Sequence, residues 1–205
     1  MSIGESCQTA YQIRRFFGSD ERYIFDWVIS CPETIERVLI INNSDDILVP
    51  ENLEVIGNGV RLLDKKTLIK HQHDFKLNGE HKHQLDSVLN ELDKVRSKYT
   101  YLLHKTKEYI QNTKPVLVFY DWTGNKGNLK YIERLQRLLS AEFKYSIDML
   151  FVTEAPLDNT KTENENIYCY TIDNSNVVGS SFRWRGCDAS WDKIFKDYLG
   201  RINNK

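Results

Sequence analysis

Pro115-Val-Leu-Val-Phe-Tyr120 and the residues just beyond it decide the fold class. An unbroken apolar run of this length, opened by a proline and closed by Asp121, predicts a strand buried on both faces. Leu129, Ile132, Leu135, Leu138 and Leu139 then recur at three- and four-residue spacing, which predicts an amphipathic helix over 128–143. Asp148 to Val152 reads as the next strand and Ile167 to Ile172 as another, with a polar loop over 158–165 between them. A closing helix over 190–201 carries Trp191, Ile194, Phe195, Tyr198 and Leu199. Strands alternating with helices predict an α/β fold: a three-layer arrangement with a central, mainly parallel sheet and helices on both faces.

Upstream of this unit the signals are shorter. Met1 to Gly4 leaves room for a stub of strand. Ser6 is a cap candidate for a helix over 7–17, whose apolar positions are Ala10, Ile13 and Phe16 or Phe17, and Gly18 suits its end. Pro32 suits the first turn of a helix reaching Ile41, although Val38 to Ile41 reads equally well as strand. Residues 50–59 read as loop. Val60 to Leu63 and Thr67 to His71 read as a small β-hairpin. The longest helix is expected over 84–111, with Leu85, Val88, Leu89, Leu92, Val95, Tyr99, Leu102, Leu103 and Tyr109 on its apolar stripe.

The chain has 205 residues, which suits a single domain over 1–205. Its 28 Lys and Arg offset 29 Asp and Glu, so no basic field favours nucleic acid or an anionic membrane. No apolar run has the length of a membrane span, and the first ten residues lack the charged-then-apolar pattern of a secretory signal. Cys7, Cys31, Cys169 and Cys187 form no CxxC pair and no zinc spacing. They read as reduced thiols in a cytoplasmic protein, with no metal and no cofactor implied.

Cys7 is the first candidate for chemistry. It comes directly after a cap candidate at a helix start, where free N–H groups and the dipole favour a thiolate and can hold an oxyanion. Gly4 just upstream permits close backbone approach. The competing reading is a small buried residue. Gly4-Glu5-Ser6 is similar to the GDS block of SGNH-type esterases, but the DxxH expected near the C-terminus is absent, so Ser6 is the weaker nucleophile. Among the histidines, His71, His73, His81 and His83 lack a third metal ligand at fixed spacing. His73, with Asp74 next to it, suits a base whose tautomer a carboxylate fixes, and His81 and His83 belong to a solvated Lys/Glu stretch. Asp26, between Phe25 and Trp27, must be paired; it either orients a histidine or caps the backbone. Trp184 precedes Arg185, Gly186, Cys187 and Asp188 in a turn suited to a pocket wall. Asp121-Trp-Thr-Gly124-Asn-Lys-Gly127 comes after a strand as a phosphate loop does, but it matches neither GxxxxGK[ST] nor GxGxxG.

Gly4-Glu-Ser-Cys7-Gln-Thr-Ala10, Phe25-Asp26-Trp27-Val-Ile-Ser30, His73-Asp74-Phe75 and Lys98-Tyr99 occur in the order of the motifs of a bacterial family of papain-like cysteine peptidases, which this chain resembles. Trp184-x-Gly186-x-Asp188-x-x-Trp191 is also similar to that family's ending. The family tends to carry Arg shortly after Lys-Tyr, where this chain has Thr100, Tyr101 and Leu102. The resemblance implies Cys7 as nucleophile, His73 as its base, and Asp74 or Asp26 as the third member. Ser6, Gly4, Trp27 and Trp184 are then expected around the substrate.

The chemistry expected is hydrolysis or acyl transfer. The thiolate attacks an acyl carbon, N–H groups near Cys7 hold the oxyanion, and His73 protonates the leaving group. A peptide, amide, thioester or ester fits, including one carried on a glycan. The alternative is a non-catalytic carbohydrate- or partner-binding module of bacterial surface-polysaccharide or secondary-metabolite machinery, with Trp27, Trp122, Trp184 and Trp191 as its binding face.

Overall fold

The computed structural model describes residues 1–41, 43–123, 128–156, 162, 164–181 and 183–203. It is an α/β structure with two sheets. Its helices are α1 (Cys7–Phe17), α2 (Pro32–Glu36), α3 (Leu85–Thr113), α4 (Asn128–Phe143) and α5 (Asp188–Asn203). The strands are β1 (Leu53–Ile56), β2 (Arg61–Asp64), β3 (Lys70–His71), β4 (Leu117–Asp121), β5 (Met149–Thr153) and β6 (Ile167–Thr171).

β4, β5 and β6 pair in parallel and in order, with Leu117 opposite Met149 and Met149 opposite Ile167. Every residue of β4 and β5 is buried, as the unbroken apolar runs require. Alternate residues serve two hydrophobic clusters. Leu117, Phe119, Met149, Phe151 and Ile167 pack with Ile132, Leu135 and Leu139 of α4 and with the buried stripe of α3. Val118, Tyr120, Leu150, Val152 and Tyr168 pack with Trp191, Ile194, Phe195 and Tyr198 of α5.

The first residues extend this sheet beyond β4. Ile3 donates to the Val118 carbonyl at 3.0 Å, Val118 donates to the Met1 carbonyl at 2.9 Å, and Glu5 donates to the Tyr120 carbonyl at 3.3 Å. Ser2 faces Val118 in parallel. The Ser30 hydroxyl clamps the segment by donating to the carbonyls of Ile3 and Gly4 at 3.2 and 2.9 Å.

The second sheet is antiparallel, in the order β1-β2-β3. It is larger than the expected hairpin, because Leu53–Ile56 is a strand and not loop. Glu54 is exposed within it, so four residues bounded by polar neighbours carry little periodic signal. Buried Asp64 closes the β2–β3 turn, accepting from the backbone of Leu48 and Lys66 at 2.9 Å each. The Pro32 helix forms, and its second half, Arg37–Ile41, is a π-helical turn and not a strand. α3 buries Val88, Leu92, Val95, Tyr99, Leu103 and Ile110, while Leu85 and Leu89 of the expected stripe are exposed.

α1 begins and ends where Ser6 and Gly18 predict. Ser6 accepts from the Gln8 N–H, and Gly18 takes the left-handed conformation with φ 64°. Its buried face is unexpected: Gln8, Thr9 and Gln12 are buried with Ala10, whereas Phe17 is exposed.

The approach of the first segment to β4 depends on Gly4. A Cβ there would lie 2.6 Å from the Tyr120 nitrogen and 3.2 Å from its carbonyl oxygen. Gly4→Ala is therefore expected to destabilise the protein by about 1–3 kcal/mol, the usual cost of forcing extra volume into a packed site. Urea denaturation measures this, and a midpoint equal to that of the parent would contradict the close approach.

Candidate functional site

A cavity of about 880 Å³ opens at the carboxyl ends of the first segment and of β4. Its size is that of a small-molecule site, and its place is where open parallel sheets bind ligands. Glu5, Ser6 and Cys7 line one side, and Trp122 and Thr123 line another. His73 lines it from the chain just beyond β3, and Arg61, Lys70, Trp27 and Trp184 also line it.

Cys7 occupies the first position of α1 and is half-buried. Burial pushes its thiol above the ordinary value; its own backbone N–H opposes this, and the charges of Asp26 and Asp74 add to the rise. The expectation of a lowered Cys7 pKa is thus corrected. The helix start contributes about 0.3–1 kcal/mol, less than one pKa unit, and desolvation exceeds it here. A lowered thiol is instead found at Cys187. Burial there acts to raise the thiol, but hydrogen bonds from the first turn of α5, those of Ser190 foremost, together with one from Asn176, outweigh it. The four cysteines are all free, and Cys31 lines the Cys7 cavity as well.

His73 is exposed and shares the cavity with Cys7, although among the described residues no hydrogen bond joins the two. Neither acid expected behind His73 is bound to it. Asp74 faces Nδ1 of His71 at 3.0 Å and accepts from the Tyr99 hydroxyl at 2.7 Å and the Lys98 ammonium at 2.6 Å. Strand alternation explains the exchange of partner. Lys70 lines the cavity, so its neighbour His71 points to the opposite face, into the core against Phe75 and Tyr99. Burial alone would raise the Asp74 carboxyl, but hydrogen bonds from His71, Lys98 and Tyr99 together hold it well below the usual carboxylate range.

Asp26 accepts from Arg14 at 2.7 Å and from the Tyr23 N–H at 3.0 Å, and it faces a separate apolar cavity. Burial raises its carboxyl, against the Tyr23 N–H and the Arg14 charge. It is the cap of the Tyr23–Asp26 turn. Its neighbour Trp27 is held with φ 67°, a conformation rare for a bulky side chain, and so projects into the Cys7 cavity.

Ser6, Trp27 and Trp184 line the cavity as expected, whereas Gly4 lies beneath it against β4. Trp191 is fully buried in the core and belongs to no binding face. His81 is exposed, but His83 is buried beside Phe75, with burial lowering its pKa. The phosphate-loop lookalike falls largely on residues 124–127, outside those described. Among the described residues no cluster of three or more His, Cys, Asp or Glu could hold a metal ion. No described helix is long and apolar enough to cross a membrane.

Sequence reasoning missed two residues. Glu5 lines the cavity, and Asp121 ends β4 with no exposed surface. They stand 116 positions apart, and only the pairing of the first segment with β4 brings them together. Burial raises the Glu5 carboxyl to about 7, the charge of Asp121 adds to this, and Lys70 opposes it.

The Trp184 wall is tied to α1 by a buried polar network. Gln8 donates to the Arg183 carbonyl at 3.2 Å and accepts from Trp191 Nε1 at 3.1 Å. Gln12 donates to the Arg185 carbonyl at 2.6 Å. Comparison with family models, curated proteins and solved structures finds no match to this chain.

Asp74 gives a pH-dependent test of the histidine assignment. Its folded pKa is depressed, so its contribution is present above the ordinary value of 3.8 and is lost as pH falls below it. Asp74→Asn is expected to cost about 3 kcal/mol at pH 7, as for a broken buried pair, and the gap to the parent narrows below about pH 4. Urea midpoints across pH measure it. A gap that stays constant down to about pH 2 would contradict the assignment.

Proposed function

We propose that the protein is a cysteine-dependent hydrolase or acyl transferase, with Cys7 as nucleophile and His73 as its base. The observation that carries this reading is that Cys7, at the start of a helix, and an exposed His73 line one cavity large enough for an acyl substrate. His73 takes the thiol proton as sulfur attacks the acyl carbon, and N–H groups at the start of α1 receive the oxyanion. Catalytic hydrogen bonds in empty sites are often long and tighten when substrate binds, so the absence of a Cys7–His73 bond is compatible with the pair. The substrate is an amide, peptide, ester or thioester whose acyl or ring portion lies against Trp27 and Trp184.

A second reading rests on a specific observation. Trp122 and Trp184 line the cavity with 54% and 43% of their surface exposed, as aromatic platforms for sugar rings do. In that reading the protein is a carbohydrate-binding module and Cys7 is a wall residue.

Acylation by p-nitrophenyl acetate separates the two. Mass spectrometry of the native protein is expected to find an acetyl thioester at Cys7, with nitrophenol release lost in Cys7→Ala and reduced about 10²-fold or more in His73→Ala. Cys31→Ser and Cys187→Ser controls exclude the other thiols that could react. Acetylation confined to Cys187, or nitrophenol release surviving Cys7→Ala, would remove the nucleophile and leave the binding module.

A further inference from the structure

We infer that Glu5 is the proton donor of this site: it shares a single proton with Asp121 and delivers that proton to the leaving group that the Cys7 sulfur displaces. This role rests on the Cys7 reading and adds to it the group that protonates the departing atom.

Glu5 is two residues from Cys7, so their Cα atoms lie within about 7 Å, and both line the cavity. Ser2 faces Val118 in parallel and Glu5 donates to the Tyr120 carbonyl, so the same register sets Glu5 opposite Asp121, with the two carboxyls on one face. Glu5 Oε2 and Asp121 Oδ2 are both buried and accept no hydrogen bond, so a proton held between the two carboxyls would satisfy both. The other oxygen of Asp121 is held from the opposite side. Oδ1 accepts from the Thr123 N–H at 2.9 Å and from the Thr123 hydroxyl at 2.6 Å.

These contacts assign the proton. Oδ1 of Asp121 is already occupied by two donors from Thr123, and the raised carboxyl is that of Glu5, so we place the shared proton on Glu5. Two carboxyls set opposite each other in a buried register cannot both ionise cheaply, as in other acid pairs. The charged groups facing the pair are few. Lys70 on β3 draws Glu5 toward the ionised form, Arg61 on β2 and His73 line the same cavity, and Cys7 on α1 is held protonated by burial. The result is a carboxyl that titrates near neutral pH, where a general acid works best.

Atoms and charges balance through the reaction. His73 takes the proton from the Cys7 thiol. Sulfur forms a bond to the acyl carbon, the bond from that carbon to the leaving nitrogen or oxygen breaks, and Glu5 supplies the proton the leaving atom needs. Water then attacks the thioester. Glu5 carboxylate takes a proton from that water, the carbon–sulfur bond breaks, and sulfur recovers its proton from His73. An amine departs badly without a proton, whereas a nitrophenolate departs without help, so Glu5 matters most for amide substrates.

Two measurements test this on the full chain. First, the protein is labelled with carboxyl-¹³C glutamate and titrated by NMR. One resonance is expected to titrate near pH 7, to vanish in Glu5→Gln, and to move toward the ordinary glutamate range in Asp121→Asn, where the repulsion is gone. Second, acylation of Cys7 is timed with p-nitrophenyl acetate and with acetyl p-nitroanilide. In Glu5→Gln the ratio of anilide to ester rate is expected to fall about 10²-fold. A glutamate spectrum with no resonance titrating above about pH 5.5, roughly one unit over the ordinary glutamate value, or an unchanged rate ratio, overturns the inference while Cys7 acylation still stands. Failure of both reagents to acylate Cys7 overturns the nucleophile reading and the proton-donor role with it, and the titration then reports separately whether the acid pair exists.

Discussion

The main-chain contact between residues 1–5 and β4 is the constraint on which the rest depends. Three backbone hydrogen bonds, from Ile3, Val118 and Glu5, set two parallel segments side by side, and the missing side chain of Gly4 lets them close. Both segments then end at the same level. The first leads into Glu5, Ser6 and the start of α1, and the second leads into Asp121, Trp122 and Thr123. The nucleophile candidate, the acid pair and one aromatic wall are therefore consequences of one strand register. The carboxyl ends of parallel strands also point helix N-termini and their free N–H groups toward the same space, which is why ligands gather there.

The opposite wall is held by buried polar contacts as well as by ring packing. Gln8 and Gln12 are buried on α1, and they bind the carbonyls of Arg183 and Arg185. Asn174 joins them, donating to Gln8 and Glu154 and accepting from the Cys187 N–H at 2.8 Å. Each such bond adds only about 1 kcal/mol net, but leaving one buried member unsatisfied costs about 1–3 kcal/mol. The network therefore penalises every other placement of the 183–187 turn more than it stabilises this one. That suits a wall whose task is to hold Trp184 against Tyr11 and Trp27 at ring distances of 5.4 and 5.9 Å.

Legibility in the sequence tracks the range of the interactions. β4 and β5 are readable because burial on both faces writes continuous apolar runs, and the bounds of α1 because Ser6 and Gly18 are local signals. β1 is not, since Leu53-Glu-Val-Ile alternates too briefly to separate from loop. His73-Asp74 reads as a base and its carboxylate because the two are adjacent. Adjacent residues at a strand exit diverge, however, and the partner three positions away, His71, is the one that Asp74 meets. The buried polar face of α1 is hidden because Gln8 and Gln12 find their partners more than 170 positions later. Glu5 and Asp121 are hidden for the same reason, having no signal until the two segments pair.

The placement of the thiols bears on how the site can work. Cys187 receives hydrogen bonds from the start of α5 and is lowered, but it does not line the cavity. Cys7 lines the cavity and is raised by burial. A raised thiol is almost wholly protonated at neutral pH, so no standing thiolate waits for substrate. In the proposed mechanism, attack then requires that the proton leave as sulfur bonds to carbon, and His73 would act as a base in the chemical step and not as one half of a resident ion pair. Burial has a compensating effect on the same step. In that mechanism, a substrate lying against Trp27, Trp122 and Trp184 would exclude water that otherwise screens the N–H groups at the start of α1, so they would act most strongly on the oxyanion as it forms. On the proposed reading, the burial that keeps Cys7 protonated when the cavity is open would also favour the transition state once the cavity is filled.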